Sequence, residues 1–347
     1  MSTTVITRPE FSYPPEYRER RYTLRVKDSK SFYALRAPAA SFLPVRVVNS
    51  KRRYISLAVH EENGTDALLL ESKTTSKMIS VNDLAEKYGG TIQEVFQFDI
   101  DSDVFAPDAF SDPGSNDASL HDVLQLIKAD EAQRTFCGDD VVIAIVDSGV
   151  NGQRHEFDGR HAGQWQLEKE ADKAWTDWLG HGTMCATVAA ANTANGGEFV
   201  GVAPHAQVVA CRTYFKDDEL ANCYDYLITM AQSGKHVVIS NSFGIESGAP
   251  PVEQFLDFTG ALDDALSAGI LVIFAAGNYH QLTDPPRSAC APTSVWGFKC
   301  RDDVLTVGTC KLDGTMWEYS SRGPGERAGK PGMSQKPDVI APKILSM

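Results

Sequence analysis

The sequence predicts an α/β fold with a doubly wound, mostly parallel sheet, preceded by a small α+β N-terminal domain. Three observations carry that prediction. From residue 141 onward, Val- and Ile-rich runs alternate with helix-length segments, as right-handed βαβ units require. Before residue 99, short alternating runs surround one helical pattern. Between the two lies an acidic stretch punctuated by Pro, Gly and Asn, which reads as a linker.

Length and composition agree. A chain of 347 residues, 42% hydrophobic and 23% charged, can bury a large core and form two domains of about 150 residues each. Its net charge of −13 argues against nucleic acid or an anionic membrane as a partner, and favours a polypeptide or a neutral small molecule. The N-terminus M-S-T-T-V-I-T-R-P-E-F-S-Y has no apolar core of signal-peptide length. No apolar run approaches the roughly 20 residues that span a bilayer, so the expectation is a soluble, cytoplasmic protein. The seven cysteines read mainly as reduced, buried small hydrophobes. Cys290 and Cys300 flank a loop-like stretch, which leaves one disulfide or half a metal site open as the alternative, without a C-x-x-C pair to support it.

In chain order, residues 1–20 are rich in Pro and charge and read as an arm. The small domain spans 21–98: Y-T-L-R-V, P-V-R-V-V, Y-I-S-L-A-V and A-L-L-L read as strands, V-N-D-L-A-E-K-Y as a helix stopped by Gly89-Gly90, and T-I-Q-E-V-F-Q-F as a further strand. Residues 99–119 are the linker, and 120–347 the larger domain. There Leu120 to Phe136 has helical periodicity with Gly138 as its stop. Strands are expected at 141–146, 208–212, 237–241, 270–275, 304–308 and 338–341, and helices at 183–191, 219–232 and 253–268.

Three stretches carry chemistry. V-V-I-A-I-V-D-S-G, from Val141, reads as a strand buried on both faces that delivers Asp147 to the carboxyl edge of the sheet, where α/β folds bind ligands. H-G-T-M-C-A-T-V-A-A places His181 at the start of a small-residue helix, where a carboxylate can fix its tautomer and stabilise its charged form. I-L-V-I-F-A-A-G-N ends a third strand at Asn278, whose side-chain amide can donate to a developing oxyanion. Taken singly, each has an ordinary structural explanation as a strand end, a surface histidine or a Gly-Asn turn.

Together, and with G-V-A-P at 201–204, I-S-N-S-F-G at 239–244 and K-P-D-V-I-A-P at 336–342 in the same order, these motifs make residues 127–342 resemble the subtilisin-like serine proteases. The resemblance implies a subtilisin-like fold and an Asp-His-Ser triad. Asp147 would orient, His181 would act as general base and then acid, and Asn278 would serve the oxyanion. It also implies that Ser242, Phe243 and Gly244 accept a substrate peptide as an added strand. Asn192 to Gly197 lies where some members bind calcium, but N-T-A-N-G-G has no carboxylate, so it reads as a plain loop, with structural calcium the alternative that no carboxylate supports and no cofactor required.

One departure stands out. The family's nucleophile lies in a G-T-S-M-A type motif, and these 347 residues contain none. Ser346 follows Pro342 too closely to sit on the nucleophile helix. The expectation is therefore a serine endopeptidase whose serine comes from a further piece of the same protein, which would be its partner besides a peptide or protein substrate. A non-catalytic peptide-binding pseudoprotease is the alternative. By the same resemblance, residues 21–98 read as an inhibitory propeptide or a regulatory domain. A dinucleotide-binding oxidoreductase fails, because D-S-G-V-N-G is not the G-x-G-x-x-G turn it needs.

Overall fold

The computed structural model describes residues 14–33, 36, 44–62, 65–71, 76–100, 119–167, 170, 173, 175–244, 256–280, 294–327, 330–331 and 335–343. The stretch read as an arm contains a helical turn, α1 (Pro15–Arg18), entered through two prolines. Tyr17 of that turn packs on Trp178 of the larger domain, with ring centroids 5.8 Å apart.

The small domain follows. Strands β1 (Arg21–Val26), β2 (Val45–Asn49) and β3 (Tyr54–Ala58) lead into the antiparallel β4 (His60–Glu62), β5 (Thr65–Glu71) and β6 (Ser76–Ser80). Helix α2 (Val81–Tyr88) starts at Ser80, whose hydroxyl accepts from the Asp83 N–H, and stops where Gly89 turns left-handed. Strand β7 (Gly90–Glu94) completes a four-stranded antiparallel sheet in the order β2-β3-β1-β7. Leu24, Val26, Ile55 and Leu57 of that sheet close a core with Phe32, Val81 and Leu84.

The run T-I-Q-E-V-F-Q-F does not continue as one strand. It leaves the small sheet at Glu94, and the chain then forms β8 (Asp99–Ile100) against the larger domain. Two residues of the expected linker are thus paired strand; 101–118 lie outside the described residues.

The expected single helix over 120–136 is two helices, α3 (Leu120–Leu126) and α4 (Ala129–Ala132). A capping box of Ser119 and Asp122 opens the first, and the left-handed Lys128 separates them. The apolar period came from Leu120, Val123 and Leu124 on one and Ala129 on the other, all buried.

The main sheet comprises β9 (Val141–Asp147), β10 (His161–Trp165), β11 (Gln207–Arg212), β12 (His236–Asn241), β14 (Leu271–Ala275), β15 (Leu305–Cys310) and β16 (Val339–Pro342), with a short β13 (Phe243–Gly244) beyond β12. Its order is β10-β11-β9-β12-β14-β15-β16, and every pairing is parallel. Strand β10 was not expected, because H-A-G-Q-W has no β-branched residue. Helices α5 (His181–Ala190), α6 (Asp217–Gln232) and α7 (Leu256–Ser267) provide crossovers. Residues 253–255, where the third was expected to begin, lie outside the described residues.

Strand β9 shows why the sheet needs two covers. Val142, Ala144 and Val146 pack into the core shared with α6 and α7, while Ile145 packs with Ala186 and Ala190 of α5. Winding reverses between β9 and β12, so a crevice opens at their carboxyl ends. The small domain lies on α6 and α7. Tyr54 donates to the Asp218 carbonyl at 2.9 Å, Asn49 to Asp225 at 2.8 Å, and Arg52 to Asp225 at 3.1 Å and Asp264 at 2.8 Å. Among the described residues no helix is long and apolar enough to cross a membrane.

Candidate active site

Asp147 is the last residue of β9, and His181 the first of α5. The histidine Nδ1 stands 2.9 and 3.0 Å from the two carboxylate oxygens, with Asp147 1% and His181 5% exposed. A carboxylate only accepts, so Nδ1 carries the hydrogen and Nε2 is left with a lone pair when the ring is neutral. Burial disfavours the imidazolium, but Asp147 and the Cys185 thiol together outweigh it and hold His181 well above the ordinary histidine range.

Backbone geometry makes the approach possible. A Cβ on Gly182 would lie 2.1 Å from the Gly149 carbonyl oxygen and 2.9 Å from the Asp147 Cβ, so the residue after His181 must be glycine. Gly149 itself has φ +116° and passes so close to the Thr176 carbonyl that a side chain there would overlap it.

Three further residues complete the surroundings, none singled out in the sequence. Asp177 accepts from the Leu179 and Gly180 N–H groups through one oxygen, and from the Thr183 N–H and hydroxyl through the other, fixing the first turn of α5. The Ser148 hydroxyl lies 3.1 Å from Asp147, 2.7 Å from Asp177 and accepts from Gly182 N–H at 3.0 Å. Cys185, one turn along α5, has its Sγ 3.8 Å from His181 Nδ1 and 3.8 Å from the Ser242 hydroxyl. The only signal for Asp177 was its place four residues ahead of the histidine, with Thr183 two residues after it.

Ser242 follows β12 and Asn278 follows β14, so adjacent parallel strands deliver Asp147, Ser242 and Asn278 to one edge of the sheet. Phe243 and Gly244 form β13, which already has a partner. Asp99 and Ile100 pair with it antiparallel, Gly244 opposite Asp99 and Phe243 opposite Ile100. On its other side the same segment bonds to the chain entering α6: Phe98 N–H donates to Phe215 O at 2.8 Å, and Asp217 N–H to Phe96 O at 3.0 Å. Phe98 has no exposed surface, its ring centroid lying 5.6 to 5.8 Å from those of Phe243, Phe258 and Phe298.

In the stretch read as a plain loop rather than a calcium site, the Asn192 side chain donates to Pro204 O and accepts from Ala194 N–H. Cys300 is buried and its thiol reaches Val295 O; Cys290 and Ser346 lie outside the described residues. Among the described residues, the cluster of groups able to hold a metal is Asp147, His181 and Cys185 themselves.

The chain is 28% identical to serine protease AprX of Bacillus subtilis (strain 168) over 227 residues, 61% of this chain and 48% of that protein. It is 32% identical to thermitase of Thermoactinomyces vulgaris over 157 residues, 44% of this chain and 53% of that one. The major intracellular serine protease of Bacillus subtilis (strain 168) is 25% identical over 209 residues, 58% of this chain and 61% of that protein. The chain thus spans about half the length of the curated relatives it matches. The family model for peptidase S8 matches residues 138–343, the whole stretch from the entry of β9 to the end of β16, and the chain belongs to the subtilase family.

Proposed function

We propose that the protein is a subtilisin-type serine endopeptidase in which Asp147 orients His181, His181 Nε2 takes the proton of a serine, and that serine is supplied by polypeptide outside these 347 residues. Attack on a peptide carbonyl gives a tetrahedral oxyanion, to which the Asn278 amide donates. His181, now charged and stabilised by Asp147, returns the proton to the leaving amine. The chemistry needs no cofactor. The substrate peptide lies extended along Ser242, Phe243 and Gly244. The observation that carries this reading is β8: the chain's own peptide is already added as a strand to β13, next to the serine that touches Cys185 beside His181. Family membership and the serine protease relatives support it.

In this reading residues 21–98 are an inhibitory propeptide-like domain, seated on α6 and α7 with its end in the substrate groove. The experiment is labelling with a fluorophosphonate, using protein that contains the serine segment after removal of residues 1–118. Labelling that disappears in His181→Ala is the expected result; no labelling with the serine present overturns the proposal.

A further inference from the structure

We propose that docking of the N-terminal domain over the peptide-binding edge is proton-linked, with the Asp217 carboxyl as its sensor, so that the domain loosens its hold as pH rises above the ordinary carboxylate value of about 4. This rests on the reading that residues 96–100 occupy the substrate groove.

Asp217, Asp218 and Glu219 open α6, and Asp257 lies in the first turn of α7; all four are buried where β1 and β3 lie over the helix starts. Arg21 and Arg25 face them from β1, Tyr54 from β3 and Lys216 from the residue before α6. The cations are taken up unevenly. Arg21 Nη1 donates to Glu219 at 2.5 Å and stands 3.6 Å from Asp218, and Arg25 pairs with Asp257. The Lys216 ammonium turns away, donating to the Gln97 side chain at 2.6 Å and to Tyr17 O at 3.0 Å. Among the described residues the Asp217 carboxyl has one hydrogen-bonding neighbour, the Phe258 N–H at 3.1 Å, and no cation at that range.

Burial, then the nearby Asp257, push the Asp217 carboxyl well above the usual carboxylate range, so docking favours its neutral form. Undocked, the start of α6 meets water, and Asp217 ionises near the ordinary value of about 4 with help from the helix dipole. The docked state therefore binds one proton more. Docking is strongest below the undocked value and weakens about tenfold per pH unit until the docked value is reached. Glu219 and Asp257 are also raised by burial, opposed by their arginines, and act with the same sign. Lys216 acts with the opposite sign: burial and Arg21 push it down to about 8, so above that pH docking sheds a proton and the slope flattens. The sensor is next to the groove, because the Asp217 N–H itself holds Phe96 O of the inserted segment.

The test is hydrogen exchange of the intact chain at several pH values between about 5.5 and 7.5, corrected for intrinsic exchange. The Phe98 and Asp217 amides report the seam and the β9 amides the fold. The expected result is seam protection falling about tenfold per pH unit with β9 unchanged. Asp217→Asn, which keeps an acceptor for the Phe258 N–H, is expected to flatten that slope, what remains belonging to Glu219 and Asp257. A protected seam indifferent to pH, or the same slope in the variant, overturns the proton linkage alone. Unprotected seam amides at every pH overturn the occupied groove and the linkage with it. Should the variant lose β9 protection, the unaltered chain decides: a seam slope with β9 unchanged supports the linkage, and its absence overturns it.

Discussion

His181 illustrates how close neighbours together outweigh an environment. Burial alone drives a histidine toward its neutral form, yet the carboxylate 2.9 Å from Nδ1, joined by the Cys185 thiol, raises it well above the ordinary value. The charged ring therefore stabilises the fold fully below about pH 6.5, the unfolded value, and that contribution is lost as pH rises through the folded one. Asp147→Asn removes the charge and leaves burial opposed by Cys185 alone, so the His181 titration is expected to fall, followed by NMR of its ring protons. Asp177 acts at one remove. Truncating it to alanine strips four donors around the first turn of α5, a loss of about 2–3 kcal/mol in a urea melt, with the His181–Asp147 geometry loosened. Asp147 and His181 were legible in the sequence because strand ends and glycine neighbours mark them. Asp177, Ser148 and Cys185 were not, because their proximity arises only when α5 folds against β9.

At the scale of elements, the parallel sheet was legible wherever both faces are buried, since such strands are continuous Val and Ile runs. Strand β10 escaped because its role is to pair with β11 at the sheet edge, and H-A-G-Q-W carries no such run. Segment 96–100 escaped for a different reason. Its aromatic residues fit a strand of the small sheet equally well, and only the cleft between the Phe215 edge and β13 decides where they go. Phe98 is the anchor of that segment, enclosed by Phe243, Phe258 and Phe298. Phe98→Ala is expected to weaken docking by about 3–5 kcal/mol, the usual cost of a fully buried phenylalanine. Exchange of the Phe98 and Asp217 amides measures it, and unchanged protection would remove the anchor role.

For the whole molecule, nothing local in either half announces that they are complementary. Arg21 sits in a strand that reads as ordinary, and Glu219 in the first turn of a helix where an acid is expected anyway. Folding buries both and brings them to 2.5 Å, with Asp218 at 3.6 Å, so a cation from one domain neutralises acids of the other. Such a pair contributes little net stability compared with apolar residues of similar volume, but removing one partner is costly, because the other charge stays buried and uncompensated. Arg21→Met is therefore expected to weaken the interface by about 3–5 kcal/mol. Adding Glu219→Gln removes one of the stranded charges, keeps an acceptor for the Tyr214 N–H, and is expected to recover part of that loss. A double-mutant cycle read by seam exchange separates the cases. Strong coupling between the two substitutions identifies Arg21 as the counter-ion that lets the domain cover the acidic helix starts, whereas additive losses would assign it to packing alone.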